Sequence, residues 1–227
     1  MNPTTLRKTI RKWPGVQRII EVTVALEDWW FDFYHQVDTS VKFDEQMGFG
    51  WPKDKLNFHY LPIRPKCARR ALRNLPLKDP GEYTFIDFGS GKGRMLFMAA
   101  RHGFKRLLGI ELRRELHNQA FKNARECRHV GAGFIESLNM DASEYEFPEE
   151  KLVLFFFNPF GSEVMAKVLG KLTKSLDRHS RDVWVVLHDS TCGYLADQSR
   201  QLSLETARDG YRIYHSIRGI KCADRIL

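Results

Sequence analysis

Short apolar runs alternate with helical patterns from Tyr83 to the end of the chain. This alternation is typical of βαβ units that build a parallel sheet. Only Arg218-Gly219-Ile220 separates the last two runs, which is too short for a crossover helix, so we expect an antiparallel hairpin there. The predicted strands are Tyr83–Phe88, Arg106–Glu111, Phe134–Leu138, Lys151–Phe157, Asp182–Leu187, Tyr211–Ile217 and Lys221–Leu227, and the predicted helices are Arg94–His102, Arg114–His129, Glu163–Leu176 and one around Tyr194–Ser203.

Residues 1–78 do not follow this alternation. Prolines at positions 52, 62, 65 and 76 interrupt them, and an aromatic cluster occupies positions 29–31, 33 and 34. Pro65 is suited to the first turn of a helix. In that helix one face is basic and another apolar; the basic residues are Lys66, Arg69, Arg70 and Arg73, and the apolar ones Ala68, Leu72 and Leu75. We therefore expect an N-terminal helical extension over residues 1–78 and an α/β domain over residues 79–227.

The positive charge lies mostly ahead of the α/β domain. The 227-residue chain has a formal net charge of +8. Residues 1–78 carry 14 Lys and Arg against 8 Asp and Glu, whereas residues 79–227 carry 22 against 20. This distribution indicates either an acidic macromolecular partner, protein or nucleic acid, that docks on the N-terminal third, or a basic surface that only aids solubility. The basic face of the predicted helix leaves the same two alternatives open.

The cysteines and the apolar runs indicate a cytoplasmic protein. Cys67, Cys127, Cys192 and Cys222 form no C-x-x-C pair, which favours free thiols in a reducing compartment over a disulfide framework or a metal site. The longest apolar run, Leu152 to Phe157, is far shorter than the ~20 residues that cross a bilayer. No uninterrupted apolar stretch of the kind found in signal peptides follows the basic N-terminus. The sequence does not define the oligomeric state.

A glycine-rich turn follows the first predicted strand, in the stretch FIDFGSGKGR from Phe85 to Arg94. Glycines let the backbone approach a ligand closely, and the start of the next helix offers free N–H groups. The turn is not a dinucleotide fingerprint, because Arg94 stands where the third glycine is required. It is not a phosphate-binding P-loop either, because Gly93 follows Lys92 in place of Ser or Thr. A glycine turn that only packs a helix on a sheet remains the alternative.

Polar motifs follow the next three predicted strands. Glu111-Leu112 ends the second strand, 24 residues after Asp87; Asn139-Met140-Asp141-Ala142 follows the third, and Asn158-Pro159-Phe160-Gly161 the fourth. An acid at the tip of the second strand can accept hydrogen bonds from both hydroxyls of a ribose. The structural alternatives are a helix-capping acid, an aspartate with its own turn chemistry, and a proline turn that leaves a buried strand.

In the order and spacing of these motifs, residues from about 81 to 190 resemble the class I S-adenosylmethionine-dependent methyltransferases. The resemblance implies a doubly wound, Rossmann-like, seven-stranded and mostly parallel sheet, with S-adenosyl-L-methionine as the cofactor. In that family the glycine loop cradles the methionine moiety, and the acid after the third strand accepts a hydrogen bond from the adenine amino group. The implied cofactor-binding residues are Asp87, Gly89, Ser90, Gly91, Gly93, Glu111, Leu112, Asp141, Ala142 and Asn158.

The motif after the fourth strand resembles the N-P-P-[F/Y] motif of amino-group methyltransferases. That resemblance implies that Asn158 and the backbone near Pro159 accept hydrogen bonds from the target nitrogen, while the Phe160 ring packs on the substrate. Orienting the nitrogen in this way would supply much of the catalysis. This chain has one proline where the motif has two, which weakens an inference to adenine or glutamine as the substrate.

Two further likenesses bear on the acceptor and on a lid. The stretches DFGSGKGR and FFFNPFGSEV are similar to two protein-lysine methyltransferase groups outside the SET fold, the disruptor-of-telomeric-silencing type and a mitochondrial family that acts on ATP synthase. The lead-in residues Phe31-Asp32, Asp38-Thr39 and Tyr60-Leu61-Pro62 resemble those of uncharacterised bacterial methyltransferases. By that resemblance Thr39 and Tyr60 fold over the cofactor as a lid.

We therefore expect an enzyme that transfers a methyl group from S-adenosylmethionine to a nitrogen, with a protein lysine as the leading acceptor. No residue is an obvious dedicated base, so we expect the lysine ammonium to be desolvated in an aromatic channel lined by Phe160 and the cluster at positions 29–34. One alternative is a methyltransferase directed at RNA or DNA. Another is a non-catalytic protein that binds the cofactor and acts through an interaction surface.

Overall fold

A seven-stranded sheet forms the centre of the protein, in a computed structural model that describes residues 14–41, 60–127, 135–208 and 210–217. The strands are β1 (Thr84–Phe88), β2 (Arg106–Glu111), β3 (Ile135–Asn139), β4 (Leu152–Phe157), β5 (Val183–His188), β6 (Leu202–Arg208) and β7 (Tyr211–Ser216). The helices are α1 (Pro14–His35), α2 (Pro65–Arg73), α3 (Arg94–Ala100), α4 (Arg114–Glu126), α5 (Ser162–Arg178) and α6 (Gly193–Asp197), with short 3₁₀ turns at Pro80–Glu82 and Ala142–Glu144.

The strand order is β3-β2-β1-β4-β5-β7-β6. The five strands β1 to β5 are parallel, whereas β7 runs antiparallel between β5 and β6. The order reverses between β1 and β4, and ligands of open α/β sheets bind at such a switch point, beyond the carboxyl ends of the strands. The predicted fold class, a doubly wound and mostly parallel sheet of seven strands, is confirmed.

Helices cover both faces of this sheet, so its central strands are buried throughout. One apolar cluster joins Phe88 and Phe156 to α5. The other, on the opposite face, joins Phe85 and Phe155 to α3, and it includes Phe31, Ile63 and Leu72 from the predicted N-terminal extension. Helix α2 begins at Pro65 as expected, and its four basic residues are exposed while Ala68, Leu72 and Leu75 are buried.

The final hairpin lies earlier in the chain than the sequence predicted. It pairs β6 with β7, whereas the predicted strand Lys221–Leu227 lies outside the described residues. The helix predicted around Tyr194–Ser203 is only the short α6, and its last residues belong to β6. Most residues of β6 are exposed, so this edge strand carries no apolar alternation that could reveal it. Gly210 has a left-handed φ of 81°, and Asp209-Gly210 is a hairpin dipeptide whose signal the prediction overlooked.

The other predicted elements differ from the structure at their ends. The strand predicted at Phe134–Leu138 is Ile135–Asn139, and the helices predicted to reach His102 and His129 end at Ala100 and Glu126. Residues 128 and 129 lie outside the described part of the chain. Two cysteines within it, Cys67 and Cys192, are free thiols. No helix among the described residues is long and apolar enough to cross a membrane.

Candidate active site

The glycine loop between β1 and α3 lies at the switch point of the sheet. Its backbone is held by the neighbouring strand, since the N–H groups of Gly89 and Ser90 donate to the Ile110 carbonyl at 2.8 and 3.1 Å. Gly89, Gly91 and Gly93 all have left-handed φ values, between 54° and 88°, and Gly93 is the N-cap of α3. A Cβ on Gly89 would lie 2.4 Å from the Cβ of Pro159, so only glycine allows the loops after β1 and β4 to meet.

Glu111 fastens the tip of β2 to this loop. One oxygen of its buried carboxylate accepts a hydrogen bond from the Gly91 N–H at 2.9 Å, and the other accepts from the Arg113 N–H at 2.8 Å. Each carboxylate oxygen has two acceptor sites, so these bonds leave one site on each oxygen for a ligand. The sequence prediction assigned Glu111 to a ribose and missed this second role in shaping the loop.

Asp87 and Ser90 are buried beside the loop without partners among the described residues. The Ser90 hydroxyl has no hydrogen-bond partner there. Burial, followed by the charge of Glu111, raises the pKa of Asp87 to about 8. At neutral pH the Asp87 carboxyl therefore carries a proton in the ligand-free protein. A positively charged ligand group at this place would favour its ionised form.

The loop after β3 packs against the tip of β2. The Asn139 side-chain amide donates to the carbonyls of Glu111 and Leu112, both at 2.9 Å. Asp141 caps the short turn that begins at Ala142, because its carboxylate accepts from the Ser143 N–H at 2.8 Å. The structure thus shows turn chemistry at Asp141. Leu112 is exposed, whereas Ala142 is buried.

Asn158, Pro159 and Phe160 leave β4 beside the glycine loop. Asn158 adopts a left-handed φ of 42°, a conformation that few residues other than glycine tolerate. Its side-chain oxygen is held weakly, at 3.4 and 3.5 Å from the hydroxyl and the N–H of Thr191. The Phe160 ring lies edge-on to Phe156, with centroids 6.1 Å apart.

His188, at the end of β5, is a buried polar group that the sequence prediction did not single out. Its ring lies edge-on to Phe157, which is its register partner in β4, with centroids 5.3 Å apart. The Nδ1 atom is 3.2 Å from a carboxylate oxygen of Asp189. Burial lowers the pKa of His188 against the opposing charge of Asp189, so the imidazole is uncharged at neutral pH. Its only sequence signal was a histidine at the end of a buried strand.

Tyr60 lies against the glycine loop, and Thr39 lies beside Tyr60 and Arg94. A Cβ on Gly91 would lie 2.2 Å from a carbon of the Tyr60 ring, so the ring packs directly on the loop backbone. The Tyr60 hydroxyl donates to the Thr39 carbonyl at 2.6 Å, and burial raises the pKa of this phenol. Thr39 is fully buried, and its N–H donates to the carboxylate of Asp32 at 3.0 Å.

Arg94, the last residue of the glycine motif, fastens α1 to the sheet. Its side chain is 2% exposed, pairs with Asp28, and donates through Nε to the Thr39 hydroxyl at 2.7 Å. It also donates to the Ser40 hydroxyl at 3.1 Å and lies over the Phe31 ring. Burial raises the pKa of Asp28, and the Arg94 charge opposes that rise.

Lys92 makes a second connection of the same kind. Its buried ammonium donates to Asp38 at 3.1 Å and to the Ser40 carbonyl at 2.8 Å. Asn123 of α4 completes it, because its amide donates to the carbonyls of Asp38 and Lys92 and accepts from the Asp38 N–H. We call these contacts of Lys92, Arg94 and Asn123 with residues 28–40 the clasp. The sequence prediction missed the clasp altogether.

The structure brings together most of the predicted site residues but not the predicted aromatic channel. The loops after β1, β2 and β4 share one edge, with Tyr60 and Thr39 beside them. Trp29, Trp30, Phe33 and Tyr34 instead stack on one another on the exposed side of α1, whereas Phe160 contacts Phe156. Among the described residues no group of His, Cys, Asp and Glu could hold a metal ion.

Comparison with known sequences gives no match, since no family model and no curated protein matches this chain. Among solved structures, it is similar to an RNA methyltransferase from Salinibacter ruber in complex with S-adenosyl-L-homocysteine, with 26% identity and a TM-score of 0.52, over 69% of this chain and 92% of that one. It is also similar to magnesium protoporphyrin IX methyltransferase from Synechocystis with bound S-adenosyl-L-homocysteine, with 13% identity and a TM-score of 0.52, over 88% of this chain and 99% of that one.

A third similar structure is a predicted N6-adenine-specific DNA methylase from Listeria monocytogenes. It shares 15% identity and a TM-score of 0.51, over 69% of this chain and 51% of that one. These three proteins modify unrelated acceptors on one architecture, so the likeness establishes the fold of the class I methyltransferases for this chain and leaves the acceptor to be argued from the site.

Proposed function

We propose that this protein is an S-adenosylmethionine-dependent methyltransferase that acts on a nitrogen, with a protein lysine as the leading acceptor. The observation that carries the proposal is the meeting of the glycine loop, Glu111 and Asn158-Pro159 at the switch point of a sheet with the methyltransferase strand order. Two of the similar solved structures hold S-adenosyl-L-homocysteine, the demethylated form of this cofactor.

The residues of this edge fit the cofactor. Glu111 has acceptor capacity left for two ribose hydroxyls, and Ser90 has a buried hydroxyl without a described partner. The buried carboxyl of Asp87 would lose its proton more readily beside a cation, which suits a ligand that carries an ammonium and a sulfonium. When bound, S-adenosylmethionine supplies an electrophilic methyl group. Leu112, Asp141 and Ala142 would surround the adenine, and Thr39 and Tyr60 would cover the site.

The residues after β4 would hold the acceptor nitrogen. The Asn158 side-chain oxygen is held only by long contacts, so it remains available to accept a hydrogen bond. Pro159 touches the glycine loop, so an acceptor held after β4 would lie beside a cofactor held by that loop. The partly buried ring of Phe160 would offer an apolar surface that disfavours a charged lysine ammonium and so promotes its neutral, nucleophilic form.

Methyl transfer from labelled cofactor into a cell lysate, separated into protein, RNA and small-molecule fractions, tests this proposal. We expect the label in protein, at lysine after hydrolysis and amino-acid analysis. Titration calorimetry with S-adenosylmethionine and its demethylated product measures cofactor binding. We expect a micromolar Kd, which corresponds to a binding free energy of about −8 kcal/mol. Absence of heat with both ligands, combined with binding of NAD or ATP, would refute the cofactor assignment.

A nucleic-acid acceptor is the second candidate. The observation that favours it is that two of the similar solved structures are of an RNA methyltransferase and a predicted DNA methylase. The exposed basic face of α2 also has the sign of charge that phosphates attract. Label that appears in the RNA fraction, with a steep loss of rate as salt rises, would select this candidate over the lysine one.

A further inference from the structure

Helix α1 exposes a continuous apolar stripe to solvent. Ile19, Val22, Leu26, Trp29 and Phe33 follow one another at three- and four-residue spacing and are 54–67% exposed. At a rise of 1.5 Å per residue the stripe is roughly 21 Å long. Trp30 and Tyr34 widen its C-terminal end. Exposed apolar surface of this extent marks an interaction site.

The helix cannot turn this stripe inward, because its other side is fixed to the protein body. Phe31 is buried in the core, and Asp28 pairs with the buried Arg94. Between Gly15 and Leu26, none of the residues whose burial the structure describes is fully buried. The first half of α1 therefore lies at the periphery with aliphatic side chains outward, and the aromatic residues lie where the helix joins the body.

Basic side chains lie beside the aromatic end of the stripe. The residues that line a cavity of about 300 Å³ between α1 and α2 include Trp30, Tyr34, Arg69 and Arg101. Glu27 of α1 also lines this cavity, and its charge is neutralised by ion pairs with Arg64 and Lys66. Within the described chain, Arg69 and Arg73 of α2 form no ion pair, so their charge is available to an anionic partner.

We propose that α1 docks this protein on the surface of an anionic phospholipid bilayer. The order of side chains along the stripe matches the depth profile of such a surface. Aliphatic residues suit the acyl region, and tryptophan and tyrosine suit the interface. The neighbouring arginines suit the head groups, because one apolar helix anchors stably only with a second signal such as a basic patch. The proposal does not depend on the methyltransferase assignment.

Two other occupants fit the stripe less well. A second copy pairing through a heptad seam would carry complementary charges at the flanking positions. Of these positions only Arg18 and Asp32 are charged, and Asp32 already accepts hydrogen bonds from Thr39 and Ser40; the others are Thr23, Ala25 and Trp30. A nucleic acid would use the arginines and leave the aliphatic half of the stripe unexplained. A protein that docks a nucleic acid in place of a bilayer would not sediment with vesicles, and one that pairs with a second copy would be a dimer without them.

Co-sedimentation of the full-length protein with vesicles tests the proposal. We expect binding to vesicles that contain phosphatidylglycerol, and little binding to pure phosphatidylcholine. The double variant Trp29→Gln, Phe33→Gln should bind the anionic vesicles at least about tenfold more weakly, because two interfacial aromatic side chains are lost. The double variant Arg69→Glu, Arg73→Glu should also bind the anionic vesicles about tenfold more weakly or worse. This deficit should shrink as salt rises, whereas the deficit of the aromatic variant should not. All four side chains are exposed, so the far-ultraviolet circular dichroism of both variants should remain native.

Matched variants elsewhere on the surface are the controls. Phe121→Gln removes an aromatic side chain of α4 that is 54% exposed, and Lys122→Glu, Lys174→Glu reverses two exposed charges on α4 and α5. Both should bind vesicles as the unchanged protein does. The proposal is wrong if the protein does not sediment with anionic vesicles, or if the Trp29, Phe33 variant sediments unchanged. It is equally wrong if the unchanged protein is a dimer without vesicles and this variant is a monomer.

Discussion

The loops after β1 and β4 leave the same edge of one sheet and touch each other, yet they are held in different ways. The loop after β1 is fixed by buried charges: Glu111 accepts from its backbone, and Lys92 and Arg94 join it to residues 28–40 through the clasp. The loop after β4 has Asn158 in a left-handed conformation and only contacts of 3.4 to 3.5 Å from its side-chain oxygen. In the proposed function, the firmly held loop would keep the cofactor, and the loosely bonded loop would adapt to different acceptors.

Removal of Arg94 should have the largest effect, a loss in the free energy of unfolding on the firmly held side of the site. Arg94→Met leaves the largely buried carboxylates of Asp28 and Asp32 without their cation, and breaking a buried pair in this way costs about 3–5 kcal/mol. Urea unfolding followed by circular dichroism measures the loss. The matched control is Arg106→Met, which breaks the surface pair with Glu136 and should cost about 1 kcal/mol or less. Equal losses for the two variants would mean that the clasp does not stabilise the fold.

Glu111→Ala should produce the next largest effect, on the cofactor side alone. Two hydrogen bonds to a charged acceptor are lost, each contributing about 1.5–3 kcal/mol, so the Kd for S-adenosylmethionine should rise at least about a hundredfold. Titration calorimetry measures it. Glu115→Ala, which removes an exposed carboxylate in the first turn of α4, should leave the Kd unchanged. A Kd within about twofold of the original in both variants would exclude the ribose role of Glu111.

Asn158→Ala should separate the acceptor side from the cofactor side. We expect kcat to fall about tenfold to a hundredfold, because the acceptor nitrogen loses its orienting oxygen, while the Kd for the cofactor stays the same. Asn158→Gly keeps the left-handed backbone without strain and should lose as much activity. Loss of cofactor binding in Asn158→Ala would instead make Asn158 a cofactor contact and remove it from the acceptor side.

A further expected effect is a pH dependence at Asp87. Its pKa is about 8 in the folded protein against 3.8 ordinarily, so the folded state binds more protons than the unfolded state between these values. The free energy of unfolding should therefore fall as pH rises from about 4 to 8. Asp87→Asn should flatten this fall, so its gain over the unchanged protein should grow with pH, although the buried amide also lacks a described partner. Thermal unfolding between pH 4 and pH 8 measures both slopes; parallel slopes would contradict the raised pKa.

Local patterns predicted the fold and the loops of the site, whereas contacts between distant residues escaped them. The strands β1 to β5 are buried on both faces and so appear as continuous apolar runs. The edge strand β6 is mostly exposed and has no such pattern. Lys92 and Arg94 lay inside the quoted glycine motif, but their acidic partners Asp38 and Asp28 are 54 and 66 residues away, and nothing local to a basic residue indicates which acid it will meet. The outward position of Trp29 and Phe33 was not predictable either, because it depends on which residues far along the chain pack against α1.

The distance along the chain between Asp28 and Arg94 also orders events during synthesis. Arg94 leaves the ribosome 66 residues after Asp28, which at translation rates of 5–20 residues per second is about 3–13 seconds later. During that interval the nascent α1 has neither its buried cation nor the sheet against which Phe31 packs, and its isolated sequence is rich in β-branched residues that favour helix only weakly. The N-terminal segment is thus made before the residues that hold it, so its docking must wait for Arg94 and the sheet.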